Sequence, residues 1–316
     1  MHSPDGVADD RWLRLLANIA TVGLYVVVAM GVLVTDTGSQ LGCGHDWPLC
    51  HGRFLPGPAL QTLVEYSHRS VAAFVGLLVV AATVWAWRRY GAHAEVRWLS
   101  LLAVGFVIIE GLLGAAAVLW NESPAVLALH FGFSLTSLGA MQLLAVTVAE
   151  LGRGERSASL VRLDPAILWL SWGSLAYIYG LIYLGAYVAH TGSGLGCLGW
   201  PLCNGALIPS LHGATLIIFW HRVAAMLLLV PLIWTRVRVG RCPDRPKLVL
   251  GANLTLAAAL VQIASGALLI LTHLNTVALA LHGTFVSLLF GAIAYLCYET
   301  LPPGAAVARR RAGGVA

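Results

Sequence analysis

Eight runs of about 20 apolar residues, set apart by short polar stretches, constrain this chain more than anything else in it. They fall at 12–34, 65–87, 98–119, 124–149, 166–189, 214–235, 248–271 and 276–299. Each is long enough to cross a hydrocarbon core of ~30 Å as a helix, which satisfies its own backbone hydrogen bonds. The expected fold is therefore an all-α integral membrane protein with eight transmembrane helices. Composition agrees: 10% of the 316 residues are charged and 59% hydrophobic, with a mean hydropathy of +0.81. Soluble domains carry roughly a quarter charged residues, so the expected solvent is a lipid bilayer. A net charge of +5 and a pI near 9.0 could point to nucleic acid. The placement of the charge excludes it, because the basic residues sit in short loops between apolar runs.

That placement sets the orientation. One set of loops and termini holds 16 of the 19 basic residues, from Arg11 and Arg14 through Arg88, Arg89, Arg97 and the 236–247 stretch to Arg309–Arg311. The opposite loops hold only Arg53, while Arg69 and Arg222 lie at the starts of spans. By the positive-inside rule both termini face the cytoplasm. The polar start, Met1–Asp10, carries Asp5, Asp9 and Asp10, so no cleavable leader is expected.

The chain repeats itself. TGSQLGCGHDWPLCHGRFLP (37–56) resembles TGSGLGCLGWPLCNGALIP (191–209), His68-Arg69 recurs as His221-Arg222, and His130 recurs as His282. Glu110 aligns with Gln262, and Gly114 with Gly266. Four spans per half is an even number, so both halves enter the membrane from the same side. The expectation is two fused four-helix bundles related by a pseudo-twofold axis along the membrane normal. The divisions are residues 1–151, a cytoplasmic linker 152–165, residues 166–300, and a cytoplasmic tail 301–316.

His68, His130, His221 and His282 lie a few residues inside the outer ends of spans 2, 4, 6 and 8. The members of each pair thus share a depth within roughly two turns of the outer surface. Two imidazoles at matched depth on facing helices can ligate an iron from both sides, as haem requires. Polar helix packing is the alternative. A zinc or copper site needs further ligands, and no Cys or Asp lies at that depth beside either pair. No CxxCH motif is present, so a haem would be held non-covalently.

Glu65 precedes His68 by three residues and shares its helix face. Its counterpart is Ile218. A carboxylate beside one pair only suggests chemistry in the first half and electron storage or structural support in the second. The alternative is a headgroup carboxylate, solvated or paired with Arg69. Glu110 opposes Gln262 and reads as a helix-packing group. Arg69 and Arg222 are candidates for haem propionates or for snorkelling to the interface. Cys43 and Cys50, and Cys197 and Cys203, lie in outer loops short enough to close as disulfides. They read as staples, with a redox role open for Cys43–Cys50 above the half that contains Glu65. Cys242 and Cys297 have no evident partner.

Jointly, the eight-span layout, the TGSGLGC…WPLC loops, Glu65-x-x-His68-Arg69 and the other three histidines resemble the haem A synthase family across nearly the whole chain. The resemblance implies oxidation of a porphyrin methyl group of haem O to a formyl group, by successive hydroxylations, to give haem A for terminal oxidases. It implies a resident haem b on His221 and His282, and substrate haem O, leaving as haem A, on His68 and His130. It implies Glu65 as the catalytic residue, and the bacterial form with cysteine pairs in both outer loops, hence a bacterial cell membrane. Implied partners are a haem O synthase or terminal oxidase assembly factors, and an electron-transfer partner left unidentified. Glu110 departs from the Gln expected there. Two other readings start from the same residues. A dihaem b-type cytochrome linked to quinone needs the histidine pairs but not a one-sided carboxylate, and would place one haem near each surface. A transporter would show matched breaks in its spans.

Overall fold

The computed structural model describes residues 4–120, 124–155 and 163–302. Residues 156–162 of the expected linker, and the expected tail from 303 onward, lie outside them. The helices are α1 Pro4–Asp36, α2 Leu60–Tyr90, α3 Ala94–Leu119, α4 Pro124–Arg153, α5 Pro165–His190, α6 Gly213–Leu227, α7 Leu229–Val239, α8 Pro246–Leu271 and α9 Thr276–Glu299. With α6 and α7 forming one span, eight helices among the described residues are long and apolar enough to cross a membrane. They overrun the apolar runs at several ends, because a helix continues until its backbone meets a breaker, not until its side chains turn polar.

The starts are local chemistry. Pro165 and Pro246 stand in the first turn, where a missing N–H costs nothing. Asp164 and Asn275 cap α5 and α9 by accepting from the N–H groups of Ala166 and Val277, each at 2.9 Å. The α6/α7 break is Pro231, which cannot donate to the Leu227 carbonyl and crowds it. Chain direction persists through Leu228 N–H to Ala224 O at 3.1 Å and Leu232 N–H to Leu228 O at 3.4 Å. The first half has Leu78 at the matching place, and α2 is unbroken.

In the first half α1, α2, α3 and α4 pack in a ring, each on the next and α4 back on α1; α5, α6/α7, α8 and α9 do the same. Between the halves α4 packs on α9, α1 on α9, and α4 on α5. Of these, α4 and α9 are the most enclosed. The apolar window of α4 is 61% buried and that of α9 39%, against 17–28% for the others, whose outer faces therefore need lipid. Small residues permit the approach: a Cβ on Gly139 would stand 3.1 Å from the Phe290 ring. Tyr25 donates to Gln142 Oε1 at 2.6 Å, and Gln142 Nε2 donates to Gly291 O at 3.1 Å, tying α1, α4 and α9 together.

The two long loops, between α1 and α2 and between α5 and α6, are built alike. Cys43 bonds Cys50 and Cys197 bonds Cys203, while Cys242 and Cys297 are free thiols. Trp47–Pro48 and Trp200–Pro201 are both cis. Each disulfide leads into a two-residue turn, closed by the bridges Cys50↔Arg53 and Cys203↔Ala206. The turn residues have positive φ: His51 at 51° and Gly52 at 71°, Asn204 at 53° and Gly205 at 79°. That geometry suits a tight hairpin. His51 Nε2 lies 3.0 Å from Gly42 O, and Asn204 Nδ2 donates to Gly196 O at 3.0 Å, so two different side chains pin the loops equivalently. The loop floor requires glycine, since a Cβ on Gly196 would stand 2.6 Å from the Ala214 carbonyl carbon.

Candidate functional site

Each bundle brings its two histidines within electrostatic reach of one another, His68 with His130 and His221 with His282. Every imidazole is turned edge-on to a glycine of a neighbouring helix. His68 of α2 faces Gly31 of α1, His130 of α4 faces Gly114 of α3, His221 of α6 faces Gly185 of α5, and His282 of α9 faces Gly266 of α8. A Cβ at those glycines would meet the imidazole Cε1 at 3.3, 3.6, 3.2 and 3.1 Å respectively. The glycines thus leave the rings the space a side chain would fill.

Three of the four rings carry an orphaned polar atom: Nδ1 of His68, His130 and His221 is buried without an aligned hydrogen bond. The fourth, His282, has Ser265 Oγ at 2.9 Å and Gln262 Nε2 at 3.2 Å from Nδ1. Among the described residues no group of three His, Cys, Asp or Glu side chains could hold a metal ion. Two imidazoles within reach of one another, with glycine-cleared edges, buried nitrogens needing partners, and no further protein ligands among the described residues, fit a metal that arrives in its own macrocycle.

Glu65 is 3% exposed. It lies more than one turn inside α2, enclosed by the protein, so its carboxylate is not solvated. Its carboxylate accepts from the Cys43 N–H at 2.7 Å, directly beneath the first disulfide, and pairs with Arg69. The Arg69 pair expected of a headgroup carboxylate is thus present. Ile218 takes the matching place beneath the second disulfide, packed with Val188, Cys197 and Cys203. The two halves therefore share a scaffold and differ there by a carboxylate in place of an alkyl group.

Arg69 also donates to Asp46 O at 2.8 Å and Leu49 O at 3.3 Å. Arg222 donates to Gly199 O and Cys197 O, both at 2.8 Å. Both guanidinium groups thus fasten a long loop to the helix that carries the histidine. Glu110 does more than pack helices: its Oε2 stands 3.1 Å from His130 Nδ1 and accepts from Ser134. Gly31, Gly185, Ser134 and Ser265 escaped the sequence reading. The first two were findable, since Gly31 precedes the TGS of the first loop by the six residues that separate Gly185 from the TGS of the second. The serines carry no such signal, having no matched partner in the other half.

The arrangement defines a class: a multi-span membrane protein with a half-buried histidine pair in each of two repeated four-helix units. Comparison with known proteins narrows it. Residues 57–294 match the COX15-CtaA family model, described as "Cytochrome oxidase assembly protein". The chain is 42% identical over 300 residues to a protein of Symbiobacterium thermophilum named "Heme A synthase", covering 92% of this chain and 96% of that one. It is 40% identical over 291 residues to a protein of the same name from Halalkalibacterium halodurans, with 90% and 96% covered. A third, from Alkalihalophilus pseudofirmus, is 38% identical over 290 residues, with 90% and 96% covered. This chain belongs to the COX15-CtaA family.

Proposed function

We propose that the protein is a haem A synthase of a bacterial cell membrane, oxidising the methyl group of haem O to the formyl group of haem A. One observation carries the reading beyond family membership. Both halves present a glycine-cradled histidine pair, but only the first has a buried carboxylate, Glu65, where the second has Ile218. His68 and His130 hold the substrate porphyrin. His221 and His282 hold a resident haem b, which supplies electron transfer when bound. The units are residues 1–151 and 166–300. Their reciprocal packing, α1 on α9 and α5 on α4 with α4 and α9 between, supports a pseudo-twofold axis along the membrane normal. The basic loops support termini on the cytoplasmic side, which places both histidine pairs toward the outer surface.

Taking a methyl group to a formyl group adds one oxygen atom and, counted against water, removes four electrons and four protons that must be carried away. Glu65 is built for one part of this. It is fixed by the Cys43 N–H and by Arg69, so it presents an anion that need not reorganise as positive charge develops at the reacting carbon. It can equally accept a proton there, directly or through one water. His68 and His130 set the ring's orientation, and the enclosing helices keep bulk water out. Products leave for terminal oxidases, and haem O synthase or oxidase assembly factors are the expected neighbours, with a separate electron-transfer partner.

The test is Glu65→Gln, which keeps an acceptor for the Cys43 N–H but removes the charge. Membranes from cells that make haem O should contain the inserted protein with its haem but less than about 1% of parental haem A by chromatography, a loss comparable to removing a charge-stabilising group. Normal haem A in that variant removes Glu65 from the mechanism. His221→Ala should erase the resident haem's absorption, and an unchanged spectrum would place its ligands elsewhere.

A further inference from the structure

We propose that Glu110 is a positioning residue that holds His130 by its Nδ1 proton and makes the first-half ligand a stronger electron donor than its second-half counterpart. The inference rests on the ligand assignment above and concerns a difference between the halves that the assignment does not explain.

Glu110 comes from α3 and His130 from α4, and Oε2 stands 3.1 Å from Nδ1. Ser134, one turn beyond His130 on the same helix, donates to that oxygen and fixes the carboxylate from the other side. Two atoms of this pair remain unmatched: His130 Nδ1 is buried without an aligned partner, and so is Glu110 Oε1. An imidazole that binds iron through Nε2 must carry its proton on Nδ1. A buried N–H without an acceptor is costly. The neighbouring carboxylate, with a spare oxygen, is the acceptor that this ring would meet on a small rotation.

The second half solves the same problem with neutral groups. His282 Nδ1 is met at 2.9 Å by Ser265 Oγ, which donates its own proton to the Gln262 main-chain carbonyl at 2.8 Å and is free to accept from the ring; the Gln262 side chain, with Nε2 at 3.2 Å, can accept only through its unpaired Oε1. Gln262 is the residue that replaces Glu110, and neither serine has a serine counterpart in the other half: Ser134 matches Val286, and Ser265 matches Leu113. The outer partner of a metal-bound histidine fixes its orientation and raises its basicity, more so when that partner is a carboxylate. A more basic axial ligand stabilises oxidised iron. The first half, where the porphyrin is to be oxidised, thus carries the donor-rich ligand, and the second carries a neutral one suited to exchanging electrons.

The experiment uses full-length protein loaded with haem, bearing Glu110→Gln, Glu110→Asp or the reciprocal Gln262→Glu. Reduction potentials are followed optically, and the ferric haems by electron paramagnetic resonance. Glu110→Gln should keep its haem, raise the potential of the first-half haem and shift its g values, leaving the second-half haem unmoved. Glu110→Asp should fall between, and Gln262→Glu should lower the second-half potential. Unchanged potential and g values in Glu110→Gln with haem in place would overturn the proposal. If that variant sheds haem, Gln262→Glu decides, and an unmoved second-half potential counts against it. Failure of the ligand assignment itself has a separate signature: His130→Ala would leave both haem spectra as they were.

Discussion

The four glycines that face the imidazoles offer a graded test, because their clearances differ. A pair of carbon atoms attracts by about 0.15 kcal/mol near 3.8 Å and repels steeply below about 3.4 Å. Placing the added Cβ of an alanine on that curve gives a repulsion of about 0.7 kcal/mol at Gly266, where the imidazole carbon is 3.1 Å away. It gives about 0.3 kcal/mol at Gly185, with 3.2 Å, and about 0.1 kcal/mol at Gly31, with 3.3 Å. At Gly114, with 3.6 Å, the contact remains attractive. Replacing a mid-helix glycine by alanine meanwhile favours the helix by about 1 kcal/mol at all four places. The fold should therefore not lose stability in any variant. What changes is the ring, which at Gly266 and Gly185 must retreat a few tenths of an ångström, against a tolerance of about 0.5 Å for a working ligand. Haem affinity should fall about threefold in Gly266→Ala, the factor that repulsion is worth at 25 °C, less in Gly185→Ala and Gly31→Ala, and stay parental in Gly114→Ala. The assay is transfer of haem to an acceptor protein, followed by absorbance, with one half silenced by His68→Ala or His221→Ala and thermal unfolding measured in parallel. Equal haem loss in all four, or the largest loss in Gly114→Ala, would refute the claim that these glycines clear space for the rings.

Two further outcomes follow from the loops. Each disulfide closes a ring of similar size, with sequence separations of 7 and 6, so on the chain-entropy account Cys43→Ser/Cys50→Ser and Cys197→Ser/Cys203→Ser should each cost about 2 kcal/mol in thermal unfolding. If haem A formation then falls much further in the first double variant than in the second at equal protein level, Cys43–Cys50 does more than staple; equal falls mean it only staples. Outside the membrane, Asp164 is held below the usual carboxylate range, first by the Ala166 N–H and then by Arg238. Its folded pKa is depressed, so its contribution is present above the unfolded value and is lost as pH falls through the folded one. Hydrogen exchange in the first turn of α5 should accelerate on acidification through that window, and Asp164→Ala should be fast at neutral pH already. A first turn equally protected in both proteins at neutral pH would show that the cap is idle.

Much of the architecture was written in the order of residues alone. A membrane helix satisfies its own hydrogen bonds and needs only length and apolarity, so the eight spans could be read locally; their ends moved outward in the structure because backbone breakers such as Pro165 and Pro246 set them. The repeat was legible because loops with the same turn chemistry must carry the same letters, down to Trp-Pro-Leu-Cys, and it brought the four histidines and the Glu65/Ile218 difference into view. Only the tertiary structure decided which side chain meets which. That depends on how each helix is rotated about its axis and which helix stands beside it, and neither is encoded in any one span. Hence Arg69 and Arg222 turned out to tie loops down, Gly31 and Gly185 to clear room for imidazoles, and Glu110, legible only as a packing group, to stand against a histidine from another helix. The α6/α7 break lies between. Pro231 was in plain sight, but its effect required knowing that the helix would continue past it, which is a property of the packing around it.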